Sequence, residues 1–257
     1  MINPMSLEGK NIIITGAGQG IGKGIAEMCL DLGANVGIVE FNDKTTREFA
    51  DSHDKNRVLA VQGSVADPKC APAVVEAMIA RFGAVHGLVN NAGVVRAAMI
   101  DKMSSATWQE VIDVHLTGSF YFLQAVGRHM IERAKAGDKA PGSIVNISSD
   151  AGRRGTMGQI NYGAAKAGAL GLTMSAAREW GRFNIRVNSI MFGMVETQMT
   201  ETIRSDKFKD GFLAQIPVGR WAQVDEVVKP VCFMLGEGAA YITGQHLSVN
   251  GGYTIGV

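Results

Sequence analysis

Short runs rich in β-branched and apolar residues recur from one end of the chain to the other: Asn11–Thr15, Asn35–Val39, Val58–Gln62, Gly87–Asn90, Ser143–Ser148, Ile185–Ile190 and Gln245–Val249. Runs such as Ser143–Ser148 read as strands buried on both faces. Longer stretches of helical composition separate the runs, and no linker or internal repeat interrupts the alternation. The alternation predicts an α/β fold, a doubly wound parallel sheet of about seven strands with helices on both faces. Right-handed crossovers then gather any ligand site at the carboxyl ends of the strands. One domain over residues 1–257 suffices. Segment 194–212 lacks clean periodicity and is expected to form a lid over a substrate. Pro230 falls inside the apolar helix Asp225–Leu235, where its missing N–H predicts a kink.

Composition narrows the class. The 257 residues, 46% of them hydrophobic, can bury one large core, and 32 glycines suit many tight strand–helix turns. A formal net charge of +1 offers no basic surface for nucleic acid. No apolar stretch approaches the ~20 residues needed to span a bilayer, and the amino terminus lacks a basic region followed by an apolar core, so a cytoplasmic location is expected. Cys29, Cys70 and Cys232 are odd in number and widely spaced, which indicates neither a disulfide framework nor a redox pair. His53, His86, His115, His129 and His246 are equally scattered, so no catalytic metal is expected.

Candidate chemistry begins where Asn11–Thr15 leads into Gly16-Ala17-Gly18-Gln19-Gly20-Ile21-Gly22 and a helical stretch. Strand, glycine turn and helix together form a phosphate-binding arrangement: glycines admit a pyrophosphate close to the backbone, and the helix offers unpaired N–H groups and its positive dipole end. The spacing is Gly-x-x-x-Gly-x-Gly through Gly16, Gly20 and Gly22. Glu40, about twenty positions on and ending the second strand, can accept hydrogen bonds from ribose hydroxyls and repels a 2′-phosphate, which points to NAD rather than NADP.

A second cluster combines Ser149, closing the run Ser143–Ser148, with Tyr162 and Lys166, one helical turn apart. A phenol loses its proton near pH ~10, so trading protons near neutrality calls for a neighbouring cation to stabilise the phenolate. Lys166 is positioned to be that cation.

In these blocks, together with Asn90-Asn91-Ala92-Gly93, Ile185-Arg186-Val187-Asn188 and the closing Ile242-Thr243-Gly244-Gln245 and Val249-Asn250-Gly251-Gly252, the chain resembles the short-chain dehydrogenase/reductase family. It is similar to the compact, single-domain, Rossmann-like branch, and particularly to 3-oxoacyl-carrier-protein reductases, nearly end to end. The resemblance implies an oxidoreductase moving a hydride between NAD(H) and a secondary alcohol or ketone, with NADP-dependent 3-oxoacyl thioester reduction as the alternative. A dinucleotide-binding sensor or scaffold without turnover is the alternative from another class. It further implies that Tyr162 exchanges the substrate proton, that Ser149 holds the substrate oxygen, and that Lys166 lowers the Tyr162 pKa and grips the nicotinamide ribose. Cofactor contacts are implied at Gly16, Gln19, Gly20, Ile21, Gly22, Glu40, Ser64, Val65, Asn90, Ala92, Gly93, Tyr162, Lys166, Gly193, Val195 and Thr197, and assembly as a homotetramer. Three positions depart from the family pattern. Ser64 stands where relatives carry Asp, and Phe192 where they carry Pro. His115 stands where they carry an Asn that completes a catalytic tetrad, and a histidine there adds expected pH sensitivity around ~6.5. Asp150, Arg153, Arg154, Met157 and Gln159, between the Ser and the Tyr, are expected to line or border the substrate pocket, and Met194 and Met199 to pad it.

Overall fold

The computed structural model of the chain describes residues 3–206 and 209–256. Its strands are β1 Asn11–Thr15, β2 Asn35–Glu40, β3 Val58–Gln62, β4 Gly87–Asn90, β5 Gly142–Ser149, β6 Ile185–Phe192 and β7 His246–Val249. They build one parallel sheet in the order β3-β2-β1-β4-β5-β6-β7. The winding direction reverses between β1 and β4, and the crevice at that reversal is where open α/β sheets bind ligands. Strands β5 and β6 outrun the apolar pattern because they pair along their whole length, from Gly142 opposite Ile185 to Ser149 opposite Phe192. Ser149 is therefore the last residue held by the sheet.

The helices are α1 Gly20–Asp31, α2 Asp43–Asp51, α3 Cys70–Phe82, α4 Ser105–Ile112, α5 Gly118–Lys135, α6 Ala151–Arg154, α7 Ile160–Trp180, α8 Lys209–Leu213 and α9 Val224–Leu235. Strand periodicity divides β1 between two cores. Ile12 and Ile14 pack with Ile25 and Cys29 of α1 and Val228 and Val231 of α9. Ile13 faces the other side, with Met78 of α3 and Phe122 and Met130 of α5. Both faces being covered explains why the strands read as apolar runs. Cys29 and Cys232 are free buried thiols whose sulfurs meet 3.8 Å apart between α1 and α9. Helix α9 continues through Pro230.

Helix α4 passes into α5 through one wider π-helical turn, Asp113–Thr117, carrying His115; such bulges often mark functional positions. The segment expected as a lid forms short helical turns at Gln198–Thr200 and Thr202–Arg204 followed by α8. Residues 207 and 208 of that segment lie outside the described residues. Among the described residues no helix is long and apolar enough to cross a membrane, and no group of His, Cys, Asp and Glu is placed to hold a metal ion.

Candidate active site

The carboxyl ends of the strands surround a cavity of about 820 Å³, within the range of sites that take cofactor-sized ligands. One end is the glycine turn. Gly16 and Gly20 hold φ of +65° and +56°, the left-handed region that favours glycine. A Cβ on Gly22 would collide with the Gly16 carbonyl oxygen. The turn is tied to the end of β4: Asn91 Nδ2 donates to the carbonyls of Thr15 and Gly16, 3.0 Å each, and Thr15 Oγ1 accepts the N–H groups of Asn91 and Ala92, also 3.0 Å each. Gln19 caps α1 without a side-chain hydrogen bond and the first turn holds no acid, so the helix presents unpaired N–H groups, as an anion site requires. These features fit a dinucleotide pyrophosphate. Gly16, Gln19, Gly20, Ile21 and Gly22 all line the cavity, as do Glu40, Ser64 and Val65. Glu40 Oε2 accepts the Gly18 N–H at 3.0 Å and Oε1 the Asn42 N–H at 3.1 Å.

Ser149, Tyr162 and Lys166 line the same cavity, with the His115 ring against that of Tyr162. Two bonds staple β5 to α7 and set their separation. Ser148 Oγ donates to the Lys166 carbonyl at 2.8 Å, and Lys166 Nζ donates to the Ile147 carbonyl at 2.7 Å. Lys166 Nζ lies 5.6 Å from the centre of the Tyr162 ring. The lysine is only 5% exposed, and burial lowers it to about 8. Burial likewise raises the Tyr162 phenol above its ordinary value, with the Ser149 hydroxyl pulling it back down. This departs from the expectation that Lys166 brings the phenol down: burial is the largest influence on the phenol, and the opposing pull comes from the Ser149 hydroxyl.

His115 is 3% exposed. Burial, then the Lys166 charge, holds it down to about 3, with a backbone hydrogen bond to Val94 opposing. The imidazole is therefore neutral across the physiological range, correcting the expected titration near ~6.5. Its Nε2 lies 2.9 Å from the Val94 nitrogen and 2.7 Å from the Val94 oxygen, while Nδ1 has no partner among the described residues.

Of the remaining expected cofactor contacts, Ala92, Gly93, Gly193, Val195 and Thr197 line the cavity, as does Phe192. Asn90 does not. Its side chain points into the core, where Nδ2 donates to Asn146 Oδ1 at 2.9 Å and to the Ser119 carbonyl at 3.1 Å. Met199 lines the cavity and Met194 does not. The segment following Ser149 also departs from expectation, since none of Asp150, Arg153, Arg154, Met157 and Gln159 lines the cavity. Asp150, Arg153 and Arg154 turn toward the carboxyl-terminal segment, and Met157 is largely exposed. Asn250 Nδ2 donates to both Asp150 oxygens at 3.0 Å. Arg153 and Arg154 donate to the carbonyls of Gly256 and Tyr253, and Arg154 stacks 4.2 Å above the Tyr253 ring. Sequence reasoning missed the cavity residues Asn91, Arg96, Glu110 and Asp113, which carry no periodic or spacing signal.

Comparison with known proteins follows the same lines. A family model described as enoyl-(acyl carrier protein) reductase matches residues 16–254. The chain is 38% identical over 251 residues to a 3-oxoacyl-(acyl-carrier-protein) reductase of Vibrio cholerae, covering 96% of this chain and 98% of the relative. Among solved structures it is similar to a proposed short-chain alcohol dehydrogenase of Sinorhizobium meliloti 1021 (TM-score 0.88, 31% identity, 98% of each chain). It is also similar to a proposed 2-deoxy-D-gluconate 3-dehydrogenase of Agrobacterium tumefaciens with bound NADP (TM-score 0.87, 33% identity, 98% of this chain and 99% of the other). Fold, glycine turn, the Ser149, Tyr162 and Lys166 wall and these likenesses agree: the chain belongs to the short-chain dehydrogenase/reductase family, NAD(P)-linked oxidoreductases acting on CH–OH and carbonyl groups.

Proposed function

We propose that the protein reduces a ketone to a secondary alcohol with NADH, through Ser149, Tyr162 and Lys166. One observation carries this reading: those three side chains and the glycine turn line one cavity. When bound, the nicotinamide supplies the hydride. Tyr162, kept protonated by burial, gives its proton to the carbonyl oxygen as charge develops there. Ser149 donates a hydrogen bond to the same oxygen, a contribution worth ~3 kcal/mol or more of barrier for comparable donors. Lys166, anchored on the Ile147 carbonyl, keeps its other N–H groups for the nicotinamide ribose and for the phenol. A phenol that holds its proton favours carbonyl reduction near neutral pH, with alcohol oxidation gaining as pH rises.

NAD is preferred over NADP on the strength of Glu40, whose carboxylate lines the cavity beside the glycine turn and would repel a 2′-phosphate. Among the described lining residues the only cations are Arg96 and Lys166, and neither belongs to the glycine turn or to β2. The competing reading is NADP-dependent reduction of a 3-oxoacyl thioester, supported by the name of the Vibrio relative and the NADP of the Agrobacterium structure. We read residues 194–212 as a substrate lid, the whole chain as one domain, the assembly as a homotetramer and the location as cytoplasmic. Absorbance near ~340 nm tests the central reading: purified protein should consume NADH with a panel of ketones and lose turnover in Tyr162→Phe. Tight NADH binding without turnover of any ketone would overturn it.

A further inference from the structure

The cavity that holds Tyr162 also carries an ion pair that the reaction itself does not call for. Arg96 and Glu110 both line the cavity. Arg96 Nε donates to Glu110 Oε2 at 3.0 Å and a terminal guanidinium nitrogen lies 2.7 Å from Oε1, a two-point grip of the kind that guanidinium and carboxylate planes form best. The other terminal nitrogen donates to the Val95 carbonyl at 3.0 Å, so every nitrogen of the guanidinium is engaged. The backbone that carries Arg96 is tied to the helix that carries Tyr162. Asn161, fully buried and immediately before Tyr162, donates through Nδ2 to the Arg96 carbonyl at 3.0 Å and accepts the Tyr162 N–H at 2.8 Å.

Charge around this wall leans negative. Asp113, one turn beyond Glu110, also lines the cavity, and Lys166, one N–H of which goes to the Ile147 carbonyl, is the only other cation among the described lining residues. Arg153 and Arg154, the other cations near Ser149 in the chain, are drawn off by the carbonyls of Gly256 and Tyr253. An incoming carboxylate must therefore compete with Glu110 for Arg96, in a pair whose side chains are about half exposed, and face Asp113 as well, whereas an ester, thioester or alkyl ketone meets no such cost.

We infer that Glu110 sets the charge class of the substrate: by occupying Arg96 it closes the only guanidinium among the described lining residues to anions, and selects a ketone uncharged beside the reacting carbon over the matching keto acid. The inference rests on the oxidoreductase reading above and adds a specificity residue to it.

Methyl acetoacetate and acetoacetate, matched ketones differing in one charge, test it by calorimetric titration into protein loaded with NAD⁺, where no turnover interferes. Wild type should bind the ester at least ~tenfold tighter. Glu110→Gln, which releases Arg96, should narrow or invert that ratio, and Arg96→Gln in the same background should restore it. Asp113→Asn removes an equal charge without freeing Arg96 and should narrow the ratio clearly less than Glu110→Gln does. The wild-type ratio needs no variant. Acetoacetate bound as tightly as the ester, binding of neither, or equal effects of Glu110→Gln and Asp113→Asn would overturn the inference. A separate arm with NADH distinguishes the two readings: ester bound but never reduced counts against the oxidoreductase reading and leaves the charge preference standing.

Discussion

The imidazole of His115 meets the ring of Tyr162 edge-on, with centroids 5.1 Å apart and planes at 87°. Held to about 3 by burial, the histidine carries no charge beside the phenol at any pH where the enzyme works. Its Nε2 faces both the N–H and the C=O of Val94, yet one neutral nitrogen either accepts or donates. An asparagine amide offers one group for each. His115→Asn should therefore keep turnover and gain about 1 kcal/mol of stability, read from the urea midpoint. A loss of stability would show that the ring's packing matters more than its hydrogen bonding.

Acid should weaken the fold through its buried histidines. His115 is held at about 3 and His86 at about 4, whereas the unfolded chain protonates both near ~6.5. The unfolded state then binds more protons below that value, so stability present above pH ~6.5 is lost progressively as pH falls. Melting temperature should drop between pH 7 and 5, less steeply in His115→Asn. A flat profile would contradict the assigned neutrality.

Alkali should move activity and stability in opposite directions. Lys166 titrates at about 8 in the fold and near ~10.4 when unfolded. Carbonyl reduction, kcat/KM, should hold steady below pH 8 and decline above it as the ammonium is lost. Between those two values the unfolded chain binds the extra proton, so folding is favoured as pH rises, by up to roughly 3 kcal/mol. The stability difference between wild type and Lys166→Met should grow in favour of wild type across that window. Parallel curves for the two proteins would refute this.

Tyr162→Phe removes the proton donor but not the cavity. Turnover should fall ~10²- to 10⁴-fold, the usual worth of a positioned acid, with NADH affinity within a few-fold of wild type by fluorescence titration. Retained turnover would transfer the role to another group.

Glu40 carries two backbone N–H groups as well as the cofactor preference. Glu40→Gln keeps an acceptor and removes the charge, so the ratio of kcat/KM for NADPH over NADH should rise about tenfold or more, about 1.4 kcal/mol. An unchanged ratio would mean that cofactor choice is made elsewhere.

Local periodicity made much of this molecule readable. Ser149 is found because a strand must end there, and Tyr162 and Lys166 because i and i+4 share a helix face. Asn90 is expected at the cofactor through the family resemblance, but its amide faces Asn146 in the core, and Asn91, just past the strand, reaches the glycine turn. Arg153 and Arg154 follow the catalytic serine in the chain, but their partners lie about a hundred residues away, a contact that no local pattern announces. The Arg96–Glu110 pair bridges a loop and a helix and has no period. The raised phenol depends on how much water the fold excludes, which residue spacing does not encode.

Asp150 and its two arginine neighbours make the last stretch of backbone a brace for the strand end bearing Ser149. Wear at that extremity should therefore reach the reaction before it reaches the fold. Limited digestion that trims beyond Asn250 should silence turnover while far-ultraviolet dichroism stays intact, and handling damage there would pass for a catalytic defect.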